Sequence, residues 1–252
     1  MAGGFVDDKF TLDYIKKEKY DKSFAVDRGL GFFQRTGLVP DYIVGDFDSV
    51  EAPVLEAYEK LEVCEKPEVY EKSEVYEKPE VYEKLEAYEK PETCREKRPQ
   101  IVRLNPMKDD TDTEHALHMA LDMDCDSIHI FGGTGTRLDH VLGNLQLLGY
   151  ALRRQAECMM LDPCNRIRLI DRETVLEKEK QFGTYISLIP YTPQVTGLTL
   201  EGFLYPLKHH TMSSFYLKDA APISGVSNEI VAEQARISMD EGILVLVESR
   251  DA

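Results

Sequence analysis

Basic residues are the scarce class in this chain of 252 residues: 30 Lys and Arg stand against 46 Asp and Glu, for a formal net charge of −16. A surface so short of cations cannot neutralise a run of phosphates. That argues against nucleic-acid binding and against adsorption to anionic membranes. A small anionic substrate then needs a local basic group or a metal to bring it in. Long apolar runs are missing too. The longest uncharged stretch, Gln181–Leu200, is broken by Gly183, Pro190, Pro193 and Gly197 and does not read as a membrane span. No basic segment followed by an apolar core opens the chain, so no signal peptide is expected. The five cysteines (Cys64, Cys94, Cys125, Cys158, Cys164) show no CxxC pair. They read as reduced thiols of a cytoplasmic protein, without a zinc set. G-x-G-x-x-G, the Walker A pattern and G-x-S-x-G are absent as well, which removes the usual dinucleotide, P-loop and serine-hydrolase readings.

The apolar fraction is 42%, slightly low for a globular chain, and the cause is local. From Tyr58 a six-residue unit repeats as YEKLEV, CEKPEV, YEKSEV, YEKPEV, YEKLEA, YEKPET, then decays towards Pro99. A period of six builds no apolar stripe on a helix, and Pro67, Pro79 and Pro91 would interrupt one. Residues 51–99 carry 15 acids and 9 bases. Such a composition cannot bury enough surface to offset ordering entropy, so a solvated insertion over 58–99 is expected.

Without that tract the chain reads as two halves. In residues 1–155 short apolar runs (Lys22–Val26, Tyr42–Val44, Ile101–Leu104, Ser127–Phe131) alternate with helical patterns (Arg28–Thr36, Thr113–Leu121). This predicts a domain built on a parallel α/β sheet. Residues 156–252 read as successive strands (Arg166–Ile170, Thr184–Pro190, Gly197–Pro206, Ala235–Met239, Ile243–Glu248), with Glu241-Gly242 as a hairpin turn between the last two. A β-sandwich or small barrel follows, so the fold class is α/β then all-β.

The chemistry concentrates in the first half. Tyr42-Ile43-Val44-Gly45-Asp46-Phe47-Asp48-Ser49 is a strand that ends in two carboxylates at i and i+2. Ligands bind beyond the carboxyl ends of parallel strands, and two Asp there can hold Mg²⁺ against phosphates. Lys108-Asp109-Asp110-Thr111-Asp112-Thr113-Glu114 crowds three acids before an apolar helix. Thr111 and Glu114 fit a capping box, which accounts for one or two of the acids; three repel unless a cation sits among them. Phe131-Gly132-Gly133-Thr134-Gly135-Thr136 is a Gly-rich turn into a helix, a place where backbone N–H groups can meet an anion. On that helix Arg137, His140 and Asn144 share one face by spacing, while Leu138, Val141, Leu142, Leu145 and Leu148 mark the core side.

Asp27 in AVDRG, then PDYIVGDFDS, DDTD before a helix, the Gly-rich turn with RLDH and Asn144, YISLIPY, GFLYPL and GVSNE occur in an order that resembles thiamine pyrophosphokinases. The resemblance covers most of the chain outside the repeat. It implies pyrophosphoryl transfer from ATP to the thiamine hydroxyl, giving thiamine diphosphate and AMP. It also implies a homodimer with thiamine at the subunit interface, 1–155 as the Rossmann-like α/β, ATP-binding catalytic domain and 156–252 as the β-sandwich, thiamine-binding and dimerisation domain. Carried over by residue, Asp46, Asp48 and Asp112 would bind Mg²⁺ and Asp27 would be a further site carboxylate. Lys108, Asp109, Thr111, Arg137, Asp139, His140 and Asn144 would line the ATP and thiamine site, and Ser227 and Asn228 would meet thiamine.

Two features depart from that family. An apolar strand precedes its first Gly-Gly turn, whereas this chain opens Met1-Ala2-Gly3-Gly4, so a sheet short of one strand is expected. The 61 positions from Asp48 to Asp109 also exceed what the family needs there. Two rival readings remain. Asp46-Phe47-Asp48-Ser49 resembles the signature of haloacid-dehalogenase-type phosphohydrolases, with Asp46 as nucleophile. A non-catalytic binding protein using the repeat is the other.

Overall fold

A computed structural model of the chain describes residues 1–48, 50, 52–59, 98–135, 137–214 and 225–251. The repeat insertion falls mostly on residues 60–97, outside this set. Its first residue, Tyr58, lies inside: it sits in the last turn of a helix and is buried in the core.

A parallel three-stranded sheet forms from β1 (Phe24–Val26), β2 (Tyr42–Gly45) and β3 (Gln100–Arg103), in that order, with Ala25 beside Ile43 and Ile43 beside Ile101. Its residues alternate between two cores. Ala25 and Ile43 pack against Leu30, Phe32 and Phe33 of α2 (Leu30–Thr36) and Leu55 of α3 (Ala52–Glu59). Val26 and Val44 pack against Ala116 of α4 (Asp112–Asp122) on the opposite face. Cover on both faces explains why these strands read as continuous apolar runs. Upstream lies α1 (Asp8–Ile15), which the sequence did not announce and whose Leu12 and Ile15 pack against the α2–α3 core; the Asp7 carboxylate caps it by accepting from the Phe10 N–H at 2.7 Å.

The second sheet has six strands. β4 (Ser127–Phe131) and β5 (Glu157–Leu161) are parallel neighbours joined by α5 (Leu138–Arg153). The remaining members are β6 (Asn165–Ile170), β8 (Tyr185–Pro190), β11 (Asn228–Glu229) and β13 (Leu244–Ser249), in the order β11-β8-β13-β6-β5-β4. A four-stranded sheet, β10 (Leu207–Ser213), β9 (Gln194–Glu201), β12 (Gln234–Ser238) and β7 (Thr174–Glu177), faces it. β13 shows why three layers form. Leu244 and Leu246 point into the sandwich with Leu198, Ala235 and Ile237, while Val245 points to the α5 side with Leu147, Leu148 and Met160. Each such leucine, isoleucine, valine or methionine contributes about 1.5–3 kcal/mol on burial. The N-terminal part is therefore α/β around a parallel sheet and the C-terminal part is all-β. The six-stranded sheet nevertheless runs through the position 155/156, because β4 from the first half pairs with β5.

Two local expectations are corrected. Glu241-Gly242 does not close a hairpin: β12 belongs to the four-stranded sheet and β13 to the six-stranded one. Their apolar faces fill the same core from opposite sides, so the turn crosses between sheets, and Gly242 accommodates this at φ 108°. On α5, Leu138 and Leu142 are 69% and 54% exposed, whereas Leu147, Leu148 and Ala151 are buried. Of the expected stripe, Leu148 is buried and Leu145 packs against the same core, while Leu138 and Leu142 at the N-terminal end of the helix face solvent.

Residues 1–4 lie between the two sheets. The Met1 carbonyl accepts from the Val26 N–H at 2.9 Å, the Ala2 N–H donates to the Phe131 carbonyl at 2.7 Å, and the Gly4 N–H donates to the Gly132 carbonyl at 3.1 Å. Burial lowers the Met1 amine to a pKa of about 5. At the far end of β13, Glu248 is fully buried and accepts a forked pair from Arg166 (2.8 and 2.6 Å) and the Phe182 N–H (3.1 Å).

Candidate active site at the ends of the parallel strands

β1 and β2 both end in aspartate. Asp27 follows Val26, and Asp46 and Asp48 follow Gly45. One carboxylate oxygen from each of Asp27, Asp46 and Asp48 lies within 4.8 Å of the other two. Gly45 is buried against the Asp27 backbone: a Cβ there would stand in ordinary van der Waals contact, 3.4 Å from the Asp27 N and Cα. The backbone is held in sparsely populated conformations at this point, with φ of 47° at Asp27 and 63° at Phe47. Strain of this kind costs about 1–3 kcal/mol per residue and gathers where function over-determines geometry. An Asx turn orders the second loop, the Asp48 N–H donating to Asp46 Oδ1 at 3.1 Å.

The electrostatics are unfavourable as the chain alone stands. Asp27 is half-buried, and burial first, then the charges of Asp112, Asp48 and Asp46, raise its pKa above the ordinary carboxylate range. The Arg28 N–H works in the opposite direction. Asp27 Oδ1 is buried and meets no hydrogen-bond partner. A buried orphan acceptor beside two more carboxylates is costly unless a cation completes it. Three hard oxygen donors of this kind fit Mg²⁺ or a similar divalent ion.

Asp112 is near enough to act on Asp27 electrostatically but is engaged by the ammonium of Lys108, four residues upstream in the loop before α4. Lys108 thus compensates the Asp112 charge from within the same motif. Thr111 caps α4, its Oγ1 accepting from the Glu114 N–H at 3.1 Å. Asp109 is exposed, and Asp110 meets His115 Nδ1 at 3.3 Å.

The third motif is divided by the fold. Arg137 and Asp139 form an exposed ion pair at 2.5 Å, and the Arg137 guanidinium holds the Asp139 carboxyl below its usual range. His140 is exposed on the first turn of α5. Asn144 is buried and donates from Nδ2 to the Gly133 carbonyl at 2.9 Å, so it braces the Gly-rich turn from below. The shared face inferred from spacing therefore splits into an exposed pair and a buried brace. Thr136 lies outside the described residues, as does Ser49.

Ser227 and Asn228 lie beside a cavity of about 70 Å³ lined by Ile186, Leu188, Phe203, Tyr205, Val226 and Asn228 among others. The Asn228 amide pairs with the Tyr205 backbone in both directions (3.0 and 2.9 Å), and the Ser227 N–H donates to Ser187 Oγ at 3.0 Å. Ser227 adopts φ 59°. Among the described residues no hydrogen bond or ion pair joins this region to the aspartate cluster.

With this geometry in place, comparison with known proteins is informative. Residues 87–160 match the thiamin pyrophosphokinase catalytic-domain model, and residues 173–244 match the thiamin pyrophosphokinase vitamin B1 binding-domain model. Together the two matches take in more than half of the chain. The chain belongs to the thiamine pyrophosphokinase family. A thiamine pyrophosphokinase of Bacillus subtilis is 37% identical over 147 residues, which is 57% of this chain and 64% of that protein. The chain thus matches just under two thirds of that relative's length. Crystal structures of the enzymes from Bacillus subtilis (TM-score 0.72, 27% identity) and Geobacillus thermodenitrificans (0.70, 26%) align over all of this chain and 97% and 96% of theirs. The catalytic-domain match spans the DDTD and RLDH motifs but begins after Asp27, Asp46 and Asp48, which the fold itself brings together. The phosphohydrolase reading of Asp46 is not favoured by these family relationships.

Proposed function

We propose that this protein transfers the pyrophosphoryl group of ATP to the hydroxyl of thiamine, yielding thiamine diphosphate and AMP. The observation that carries the reading is the convergence of Asp27, Asp46 and Asp48 within 4.8 Å around a buried, unpartnered oxygen, in a chain of this family. Asp46, Asp48 and Asp27 would hold Mg²⁺, with Asp112 beside them. Bound there, Mg²⁺ neutralises the phosphate chain of ATP. The protein's own part is positioning and charge, because the attacking oxygen belongs to the substrate and no protein nucleophile is needed. The Gly132–Gly135 turn orients the phosphates at the start of α5, and Arg137 and Lys108 offset developing negative charge. A carboxylate of the cluster takes the proton that the thiamine hydroxyl loses as it bonds to the β-phosphorus and AMP departs.

Residues 1–155 carry the nucleotide side in this reading. Residues 156–252 carry the thiamine side, where Ser227 and Asn228 line the pyrimidine or thiazole ring at the interface of a homodimer. Exposed Leu204, Tyr205 and Val226 beside them support a covering partner subunit. No described helix is long and apolar enough to cross a membrane. The test is product identity after incubation with ATP, Mg²⁺ and thiamine. AMP with thiamine diphosphate is expected. ADP or free phosphate without a thiamine ester would refute the assignment. Asp46→Asn should lower turnover by about 10²-fold, the scale of losing a main electrostatic contact, and a loss below about threefold would remove Asp46 from the cluster's work.

A further inference from the structure

The Gly-rich turn is braced from a second side, by a carboxylate from the half of the chain assigned above to thiamine. Asp162 stands directly after β5, and Thr134 lies just past the end of β4, which pairs with β5 in parallel. Thr134 Oγ1 donates to Asp162 Oδ2 at 2.6 Å, across 28 residues of sequence. The other oxygen is committed locally. Asp162 Oδ1 accepts from the N–H groups of Cys164 (2.8 Å) and Asn165 (2.7 Å), and Asn165 Nδ2 donates to both oxygens (3.0 and 3.1 Å). The Asp162 N–H in turn donates to the Asn165 carbonyl at 3.0 Å, closing the turn between β5 and β6. The carboxylate is therefore fixed by its own loop, and Oδ2 is the part that reaches out.

Its target needs fixing. Gly132, Gly133 and Gly135 surround Thr134, and Gly132 sits at φ 72°. Glycine backbone has the most freedom to lose on ordering. Asn144 holds Gly133 by its carbonyl, from the helix side. Asp162 holds the next residue by its side chain, from the strand side. Among the described residues, no acceptor meets the amides of Thr134 or Gly135. Two adjacent anchors thus leave the amides of this turn free in a set orientation, and preorganised donors stabilise charge without reorganising at the moment of reaction.

We propose that Asp162 is a positioning residue for the nucleotide: through Thr134 it holds the Gly132–Gly135 turn in the geometry that receives the phosphates of ATP. This rests on the pyrophosphokinase reading above, in which that turn meets ATP and the C-terminal half meets thiamine.

The test compares Thr134→Val, Thr134→Ser and Asp162→Ala with the parent protein. KM for ATP and for thiamine, kcat, and the Kd of Mg-ATP by calorimetry are measured for each. Valine keeps the shape of threonine and removes only the hydroxyl. Losing a hydrogen bond to a charged acceptor should weaken ATP by about tenfold in both KM and Kd, while KM for thiamine moves less than about twofold. Thr134→Ser keeps the donor and should restore ATP affinity to within about twofold. Asp162→Ala should match Thr134→Val in its selectivity for ATP; should it fail to fold, the Thr134 pair decides. Unchanged ATP affinity in Thr134→Val, equal losses for both substrates, or failure of serine to rescue would overturn the proposal. A parent protein that binds ATP but makes no thiamine diphosphate sinks the functional reading alone, because the Kd series still judges the brace. A parent that binds no ATP overturns both.

Discussion

Replacing Asp27 by asparagine should make the protein more stable and nearly inactive at the same time. Three carboxylates share one locus, with oxygens within 4.8 Å of one another. At that separation two unit charges repel by about 3 kcal/mol at an effective dielectric of about 20, and by under about 1 kcal/mol in bulk water. Asp27 is half-buried and Asp48 exposed, so solvent screening keeps the relief from removing one charge near about 1–2 kcal/mol. Asparagine also suits the left-handed backbone at φ 47°. Scanning calorimetry in EDTA at pH 7 should then show a rise of about 4 °C in Tm.

The pH dependence follows from the direction of the shift. The folded Asp27 carboxyl is raised above its ordinary value of 3.8, so the folded state binds that proton more tightly than the unfolded chain. The penalty for its charge is absent below the ordinary value, grows as pH rises from there to the raised one, and is complete above it. The advantage of Asp27→Asn should therefore fade on acidification towards pH 4. Added Mg²⁺ should raise the Tm of the parent protein and much less that of the variant, because a ligand stabilises only the fold that binds it. Turnover should fall by about 10²-fold. An Asp27→Asn protein that melts at or below the parent temperature in EDTA, or keeps the full Mg²⁺ response, would refute the reasoning.

Three further perturbations test other parts. Arg137→Ala removes an exposed guanidinium paired, among the described residues, with exposed Asp139, so Tm should not move while turnover falls about tenfold or more; a matched loss of Tm would make the pair structural. Replacing residues 60–97 by a Gly/Ser linker of about twelve residues should leave kcat/KM within about twofold, provided the cut spares buried Tyr58; a larger fall in a steady-state assay would assign the repeat a role. Glu248→Gln removes the charge of fully buried Glu248 and leaves mostly buried Arg166 without its ionic partner, and should cost about 3 kcal/mol by urea denaturation, with a loss under about 1 kcal/mol counting against the pair.

Much of the site could be read from order and spacing. Asp46 and Asp48 were visible because a strand of Ile43 and Val44 runs into Gly45, a pattern that local chemistry fixes. The α4 cap at Thr111 was visible for the same reason. The side-chain assignment on α5 was not. Spacing places Arg137, His140 and Asn144 on one face but cannot say that Gly133 passes beneath Asn144 and claims it. Leu138 and Leu142 satisfy a helical period as well as Leu147 and Leu148 do, and only the packed sheet decides which pair it covers. β5, with Cys158 and three apolar residues after it, announced no period of two because both of its faces are buried.

The sequence by itself determined which segments are strands and helices along most of the chain, where the acids cluster, and in what order the motifs fall, since these rest on interactions a few residues long. Tertiary structure alone decided which aspartates meet. Asp27 reaches Asp46 and Asp48 because β1 and β2 pair in parallel and end at the same edge. It also decided that Glu241-Gly242 crosses between sheets and that Asp162 reaches back to Thr134. Contacts of that kind follow from burying two faces of one sheet at once, a constraint that no local stretch of residues contains.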